Sequence, residues 1–255
     1  MQNFRFFTVF EANPILTRTT NERRVNGVVT FNGIINRTGI LLLVAMATYA
    51  VAWTGTSANG VAGIPAESFL PWAWGISIGS LVLGMFIIFT RSCNPVLISL
   101  YAAAQGFLLG TISRVAEAHY PGIAFETAAS TFIIFLLVLG AYRVRILRAT
   151  PLLTKIITVG VIGVMALYLV DLVGGFFGHS LEIVRGNSGA SIGVSVFIVI
   201  LAAISFVLDF ARAEAAVDQG ASEEYSWQIA FGLLVGLVWL YVEILRLLSK
   251  TRSRR

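Results

Sequence analysis

Charge is what this sequence has least of. Asp, Glu, Lys and Arg make up 12% of its 255 residues, where a soluble domain carries about a quarter. So few charges cannot cover the 57% of residues that are apolar, which excludes a water-soluble fold. Cysteine is nearly absent as well. Cys93 stands alone, which rules out an intrachain disulfide and a cysteine-rich metal site and leaves it the role of a small buried side chain. His119 and His179 fall in separate loops without paired acids, and two lone imidazoles do not make a metal site. H-E-x-x-H, G-x-S-x-G, the Walker loop and the dinucleotide fingerprint are all missing, so the chain is expected not to be an enzyme and to carry no cofactor. The formal net charge of +5 has no basic stripe interleaved with exposed aromatics behind it, which excludes a nucleic-acid partner.

What is present is long apolar runs. A helix needs about 20 residues to cross a hydrocarbon core. Seven blocks approach or reach that length: Gly39–Trp53 (joined by Ile34 and Ile35 or by residues after Trp53), Leu70–Thr90, Pro95–Ser113, Phe125–Tyr142, Ile156–Phe177, Ile192–Phe210 and Trp227–Leu248. None alternates polar and apolar residues, which disfavours a transmembrane barrel. Turns such as Ser92-Cys93-Asn94-Pro95 and Gly186-Asn187-Ser188-Gly189 separate them. The expected fold is an all-α, multi-pass membrane protein of seven helices. Its parts are an interfacial tail over residues 1–33, a membrane domain over 34–248 and a basic tail over 249–255. The bilayer is its first partner, and a cell membrane its location.

Basic residues divide unevenly between the two sides. The N-terminal side and the loops after helices two, four and six hold 11 Lys plus Arg, while the other side holds 7, five of them in the group Arg246, Lys250, Arg252, Arg254 and Arg255. The positive-inside rule then places the N-terminus and the Arg143/Arg145/Arg148/Lys155 loop in the cytoplasm. The basic C-terminus objects. Either seven spans put it outside, or one block fails to cross and the tail stays inside.

Small residues suggest packing. Gly75/Gly79, Gly106/Gly110 and Gly232/Gly236 each form G-x-x-x-G, a spacing that lets helix backbones approach where no hydrophobic effect drives association.

Chemistry should be sought among polar groups inside the runs. Asp209 ends the sixth block, Asp171 lies about four turns into the fifth, Glu243 is near the end of the seventh, and Gln105 sits inside the third. An ionisable group at depth costs about 2.5–3.5 kcal/mol on insertion scales unless water, a partner or a proton relieves it, which makes each a candidate for an ion path or pH sensor. The bland alternatives are a helix-end position wetted by headgroup water for Asp209 and for Glu243, the latter with Arg246 as a partner on its own helix face, and wetting near the outer face or a neutralising proton for Asp171. In an antiparallel arrangement Asp171 and Glu243 approach one side and Asp209 the other, so a single three-carboxylate centre is not expected.

The order Asn13-Pro14, Asn94-Pro95 leading into Leu100–Ser113, Leu208-Asp209-Phe210 and the closing Ala230–Leu248 resembles the Bax inhibitor-1 superfamily, in its bacterial branch. That resemblance implies six helices around a central last one and a bacterial inner membrane. It also implies a pH-dependent leak of calcium or another cation through an aspartate pair. Asp209 matches one member of the pair; the other falls near Gly236, with Glu243 about 10 Å farther along the helix, and Gln105 replaces a motif glutamate. Protonation of Asp209 would remove a weak calcium ligand and any salt bridge closing a pore, with Arg143 or Arg145 as the bridge partner. Some relatives are instead proposed to be non-transporting regulators of stress survival or of a membrane protease, with another membrane protein as partner.

Overall fold

The computed structural model describes residues 27–55, 66–178 and 181–254. Seven long helices follow one another in them: α1 (Phe31–Gly55), α2 (Ala66–Thr90), α3 (Pro95–His119), α4 (Ile123–Arg143), α5 (Pro151–Phe176), α6 (Gly189–Asp218) and α7 (Tyr225–Ser253). A single helical turn, Glu182–Arg185, lies between α5 and α6. By length and composition six of them, α1 and α3 to α7, can cross a bilayer; the apolar stretch described in α2, Gly75–Thr90, is shorter.

Caps, more than hydropathy, set where helices begin. The Asn94 side chain accepts from the Val96 N–H (2.9 Å) ahead of α3, Thr150 accepts from Leu153 N–H (3.2 Å) ahead of α5, and Ser188 accepts from Ser191 N–H (3.2 Å) ahead of α6. Pro95 and Pro151 then occupy first-turn positions where a missing N–H costs nothing. At their C-terminal ends helices also run past the apolar blocks, α3 by six residues to His119 and α6 by eight to Asp218. Cys93 corrects one expectation: it is half-buried rather than buried, because it sits in the turn that reverses the chain between α2 and α3.

Contacts between loops define the two ends of the bundle. At one end Val29 N–H donates to the Ala221 carbonyl (3.0 Å) and Arg37 pairs with Glu223 (2.7 Å), joining the start of α1 to the α6–α7 turn. At the other, Arg252 at the end of α7 reaches Glu126 (2.6 Å) and the Pro121 carbonyl (2.7 Å) beside the start of α4, and Asn187 donates to Ser253. Half of the apolar stretch of α6 and of α7 is buried, against 17% for α5, so α6 and α7 carry the interior. α7 packs on α1, α3, α4 and α6. Phe135, Phe206 and Phe210 form an aromatic cluster at 5.1–6.2 Å between ring centres. Leu43, Phe89, Phe132, Leu137, Val159 and Ile162 point outward, exposed as a hydrocarbon-facing surface would be.

Glycine spacing translates unevenly into contact. A Cβ on Gly106 or Gly110 would overlap the backbone of α1 at Ala45 or Tyr49, so these two glycines let α3 and α1 meet backbone to backbone. Gly236 packs under the Phe206 ring, where a Cβ would stand 2.8 Å from Cε1. Among the described residues no heavy atom lies within 4 Å of such a position on Gly75 or Gly79. Gly106→Ala should therefore destabilise the protein by about 1–3 kcal/mol through overpacking, whereas Gly75→Ala should be neutral or stabilising by up to about 1 kcal/mol from helix propensity. Unfolding of the two variants beside wild type in a nonionic detergent checks both.

Candidate functional site

Polar side chains inside the bundle gather at two depths. The first is held by α6. Asp209 projects toward α7 at Gly232, whose absent Cβ would lie 3.7 Å from its Oδ1, and the carboxylate side chain is only 16% exposed. Arg212, one turn on along the same helix and 68% exposed, donates from Nη1 to that oxygen at 3.2 Å. Arg143 closes α4, and Arg145 follows in the next turn with φ +64°; among the described residues the ion pair made by Asp209 is with Arg212 and not with either of these. The residue of α7 that faces Asp209 is Gly232, while Gly236, one turn on, faces Phe206. Gln105 lies elsewhere, donating from Nε2 to Ser80 Oγ (3.3 Å) and so linking α3 to α2.

Glu243 organises the second depth. It lies eleven residues beyond Gly232 on α7, about 16 Å along the axis at 1.5 Å per residue. The residue is 1% exposed, because α7 continues for ten residues past it instead of ending near it. Tyr168 of α5 donates its phenolic proton to Glu243 Oε1 at 2.7 Å. Arg246 donates from Nη1 to the Tyr168 oxygen (2.5 Å) and more distantly to Glu243 Oε2 (3.5 Å), with its guanidinium 4.8 Å over the Tyr168 ring. A buried carboxylate is thus served by one neutral and one charged donor from two helices.

Asp171 sits one turn beyond Tyr168 on α5 and belongs to the same end. Its oxygens accept from the Leu181 N–H (3.0 Å) and from Arg185 Nε (2.9 Å), so it ties α5 to the Glu182–Arg185 turn. Lys250 is 6% exposed and donates to Ser191 Oγ (2.8 Å) and Ser195 Oγ (2.9 Å) of α6. These groups surround a cavity of about 510 Å³ whose walls include Tyr120, Asp171, Arg185, Asn187, Arg246 and Lys250. Asp171 and Glu243 therefore share one neighbourhood through Arg246, and Asp209 stands apart. Between the two depths the α6–α7 seam is apolar, with Phe206 and Leu240 both fully buried.

Sequence reasoning missed Tyr168, Arg185, Lys250 and the serine pair. Ser191 and Ser195 were a legible signal, being two hydroxyls at i, i+4 on one face of an otherwise apolar run. Among the described residues no three His, Cys, Asp or Glu side chains gather to hold a metal ion. His119 makes a contact of 2.9 Å from Nδ1 to the Val115 carbonyl at the end of α3, and His179 lies outside the described residues.

Removing Glu243 would leave Tyr168 and Arg246 facing a void with one charge unpaired. Glu243→Ala should cost about 3–5 kcal/mol of stability, as breaking a buried pair does. Glu126→Ala, which breaks the half-exposed pair with Arg252, should cost under about 1 kcal/mol. Denaturation of both variants in matched micelles measures the contrast.

With this geometry in place, comparison with known proteins adds one positive finding. Residues 12–253 match the family described as Bax inhibitor 1 like, a match that takes in all seven helices. Neither the curated proteins nor the solved structures gave a match. Because the family match spans nearly the whole chain, the protein belongs to the Bax inhibitor 1 like family.

Proposed function

We propose that this protein is a pH-sensitive leak pathway for cations, with calcium as the cargo, in which seven helices span a cell membrane around a central α7. The bacterial branch of the family and a bacterial inner membrane are part of the same reading, as is a role in transport without catalysis. The observation that carries it is the position of Asp209: a mostly buried carboxylate on α6, pressed against the glycine surface of α7 and held by a single solvent-facing arginine.

Such a group has two states with different packing consequences. Ionised, it pairs with Arg212 across 3.2 Å and offers oxygen to a cation. Protonated, it loses the ion pair and its attraction for the cation, so the seam between α6 and α7 is relieved of its polar tie. A lone carboxylate supplies at most two of the six to eight oxygens calcium takes, so occupancy at Asp209 would be brief and weak, as a leak requires. The level of Glu243 and Asp171 would form the opposite mouth, and the Phe206–Leu240 layer the closed constriction between them.

That same apolar layer favours the second reading, a non-transporting membrane protein that regulates a partner such as a membrane protease. Flux separates the two. Calcium entry into proteoliposomes should vary with pH for wild type, and Asp209→Asn, which keeps the shape and hydrogen bonding of the side chain but cannot titrate, should give flux that no longer changes with pH. An unchanged pH profile in the variant would remove Asp209 from the mechanism. No flux from either protein, where a calcium ionophore works, would leave the regulatory reading.

A further inference from the structure

The cavity at the α7 C-terminal end carries more positive charge than its walls neutralise. Three cationic side chains line it, Arg185, Arg246 and Lys250, against one carboxylate, Asp171. Asp171 is already engaged by Arg185 and by the Leu181 N–H. Glu243, behind the wall, offsets Arg246 across 3.5 Å. Lys250 is left over. Among the described residues its hydrogen bonds go to two hydroxyls and no carboxylate lies at ion-pair distance, Glu243 acting on it only from farther off.

Those hydroxyls are fixed as acceptors. Ser191 Oγ–H donates to the Gly186 carbonyl (2.7 Å) and Ser195 Oγ–H to the Ser191 carbonyl (3.0 Å), so both turn lone pairs toward the amine. Two dipoles solvate a buried cation without neutralising it, and an ion without a countercharge in such a place is costly. Ser191 belongs to the first turn of α6, where the helix dipole adds further positive potential. Among the described residues the third N–H of the ammonium meets no acceptor. Arg185 spends Nε on Asp171, and Arg246 spends Nη1 on Tyr168 and Glu243, so other guanidinium N–H groups remain on the wall.

We propose that this cavity binds a phosphate-bearing anion, with Lys250 supplying the countercharge and Arg185 and Arg246 supplying flanking donors. A tetrahedral phosphate offers oxygens in several directions at once and suits three cations converging from two helical segments, α7 and the Glu182–Arg185 turn. The cavity's volume of about 510 Å³ exceeds what a bare ion needs and admits a headgroup. Its place, among helix ends and turns, is the depth of lipid phosphates. The chemistry is shared by an anionic lipid headgroup and by free phosphate. The inference concerns the end of the bundle away from Asp209 and does not rest on the cation-leak reading.

Thermal unfolding of the purified full chain in dodecyl maltoside, at constant ionic strength, tests it with three probes: sodium phosphate, dihexanoyl phosphatidylglycerol and dihexanoyl phosphatidylcholine. The wild-type midpoint should rise with phosphatidylglycerol. In Lys250→Met the apparent affinity should fall at least about tenfold, the scale of one lost charge-assisted hydrogen bond. Without ligand that variant should be as stable as wild type or more so, since it removes an uncompensated buried charge. If Lys250→Met does not fold, Arg185→Gln, at the exposed part of the wall, carries the same expectation for binding. A rise with sodium phosphate as well assigns the site to the free anion, and a rise with phosphatidylglycerol alone assigns it to a lipid headgroup. The proposal is overturned by no rise with either anion, by equal rises in wild type and the variants, or by phosphatidylcholine acting as well as phosphatidylglycerol.

Discussion

A carboxylate that is 1% exposed in a bundle built for hydrocarbon sets the strictest condition on this structure. Glu243 cannot be left alone, since an unpartnered charge in such surroundings costs several kcal/mol. Its partners have to come from two places. Arg246 lies one turn away on α7, but its nearest approach is a long 3.5 Å, so the short contact comes from Tyr168 on α5. α5 is the helix with the least buried apolar stretch among the six long enough to span. Lipid is as good a solvent for its leucines and valines as the neighbouring helices are, so hydrophobicity gives it little reason to dock. The Tyr168–Glu243–Arg246 contact, reinforced by Asp171 on the Glu182–Arg185 turn, gives it a specific seat.

Two other seams of the bundle are held by means that need no polar group. α3 meets α1 through Gly106 and Gly110, and α7 meets α6 by the Gly236 notch that receives Phe206. Dispersion between surfaces brought this close is what remains when the hydrophobic effect is absent between helices. The structure therefore divides its work by depth: shape complementarity in the middle and at the α1–α3 seam, charge and hydroxyl chemistry at the α5–α7 end. Asp209 is the exception, a single charge set into the shape-held part, and this isolation is what makes it stand out functionally.

Much of the fold was legible because lipid leaves so few solutions. Runs such as Ile192–Phe210 have to be helical at spanning length, and their order fixes which turns share an end. Helix ends were less legible. The apolar run measures where hydrocarbon contact stops, whereas the helix stops where its hydrogen bonds find caps, and Ser188, Thr150 and the stretch to Ser253 carried α6, α5 and α7 beyond their greasy limits. That difference explains the reading of Glu243 as a wetted helix-end residue: ten further residues of α7 cover it. Asp209 and Asp171 could be found as charges in apolar runs, but their partners could not be ranked. From the sequence the expected partner of Asp209 is Arg143 or Arg145, whereas the partner is Arg212 one turn on along the same helix, and Arg185 comes to Asp171 from a turn whose path the sequence does not dictate. Lys250 was hidden by its neighbours, since in a string of basic residues nothing distinguishes the one that turns inward except the hydroxyl pair waiting on another helix.

This last point bears on the orientation of the chain in the membrane. A terminal group of five basic residues argues for a cytoplasmic C-terminus if those residues act as mobile charges at a surface, which conflicts with seven crossings from a cytoplasmic N-terminus. In the folded protein Arg246, Lys250 and Arg252 of this group are engaged by other parts of the chain: Arg246 with Tyr168 and Glu243, Lys250 with Ser191 and Ser195, and Arg252 with Glu126 and the Pro121 carbonyl. The arginine at 252 is neutralised by a carboxylate of α4, the one at 246 by a carboxylate of its own helix, and the lysine is withdrawn from the surface. What the bundle presents at that end is then far less basic than the residue count suggests. The positive-inside rule counts Lys and Arg as the chain is inserted and gives acids little weight, so these five residues still favour the cytoplasmic side, and pairing made in the folded protein does not remove the conflict with seven crossings.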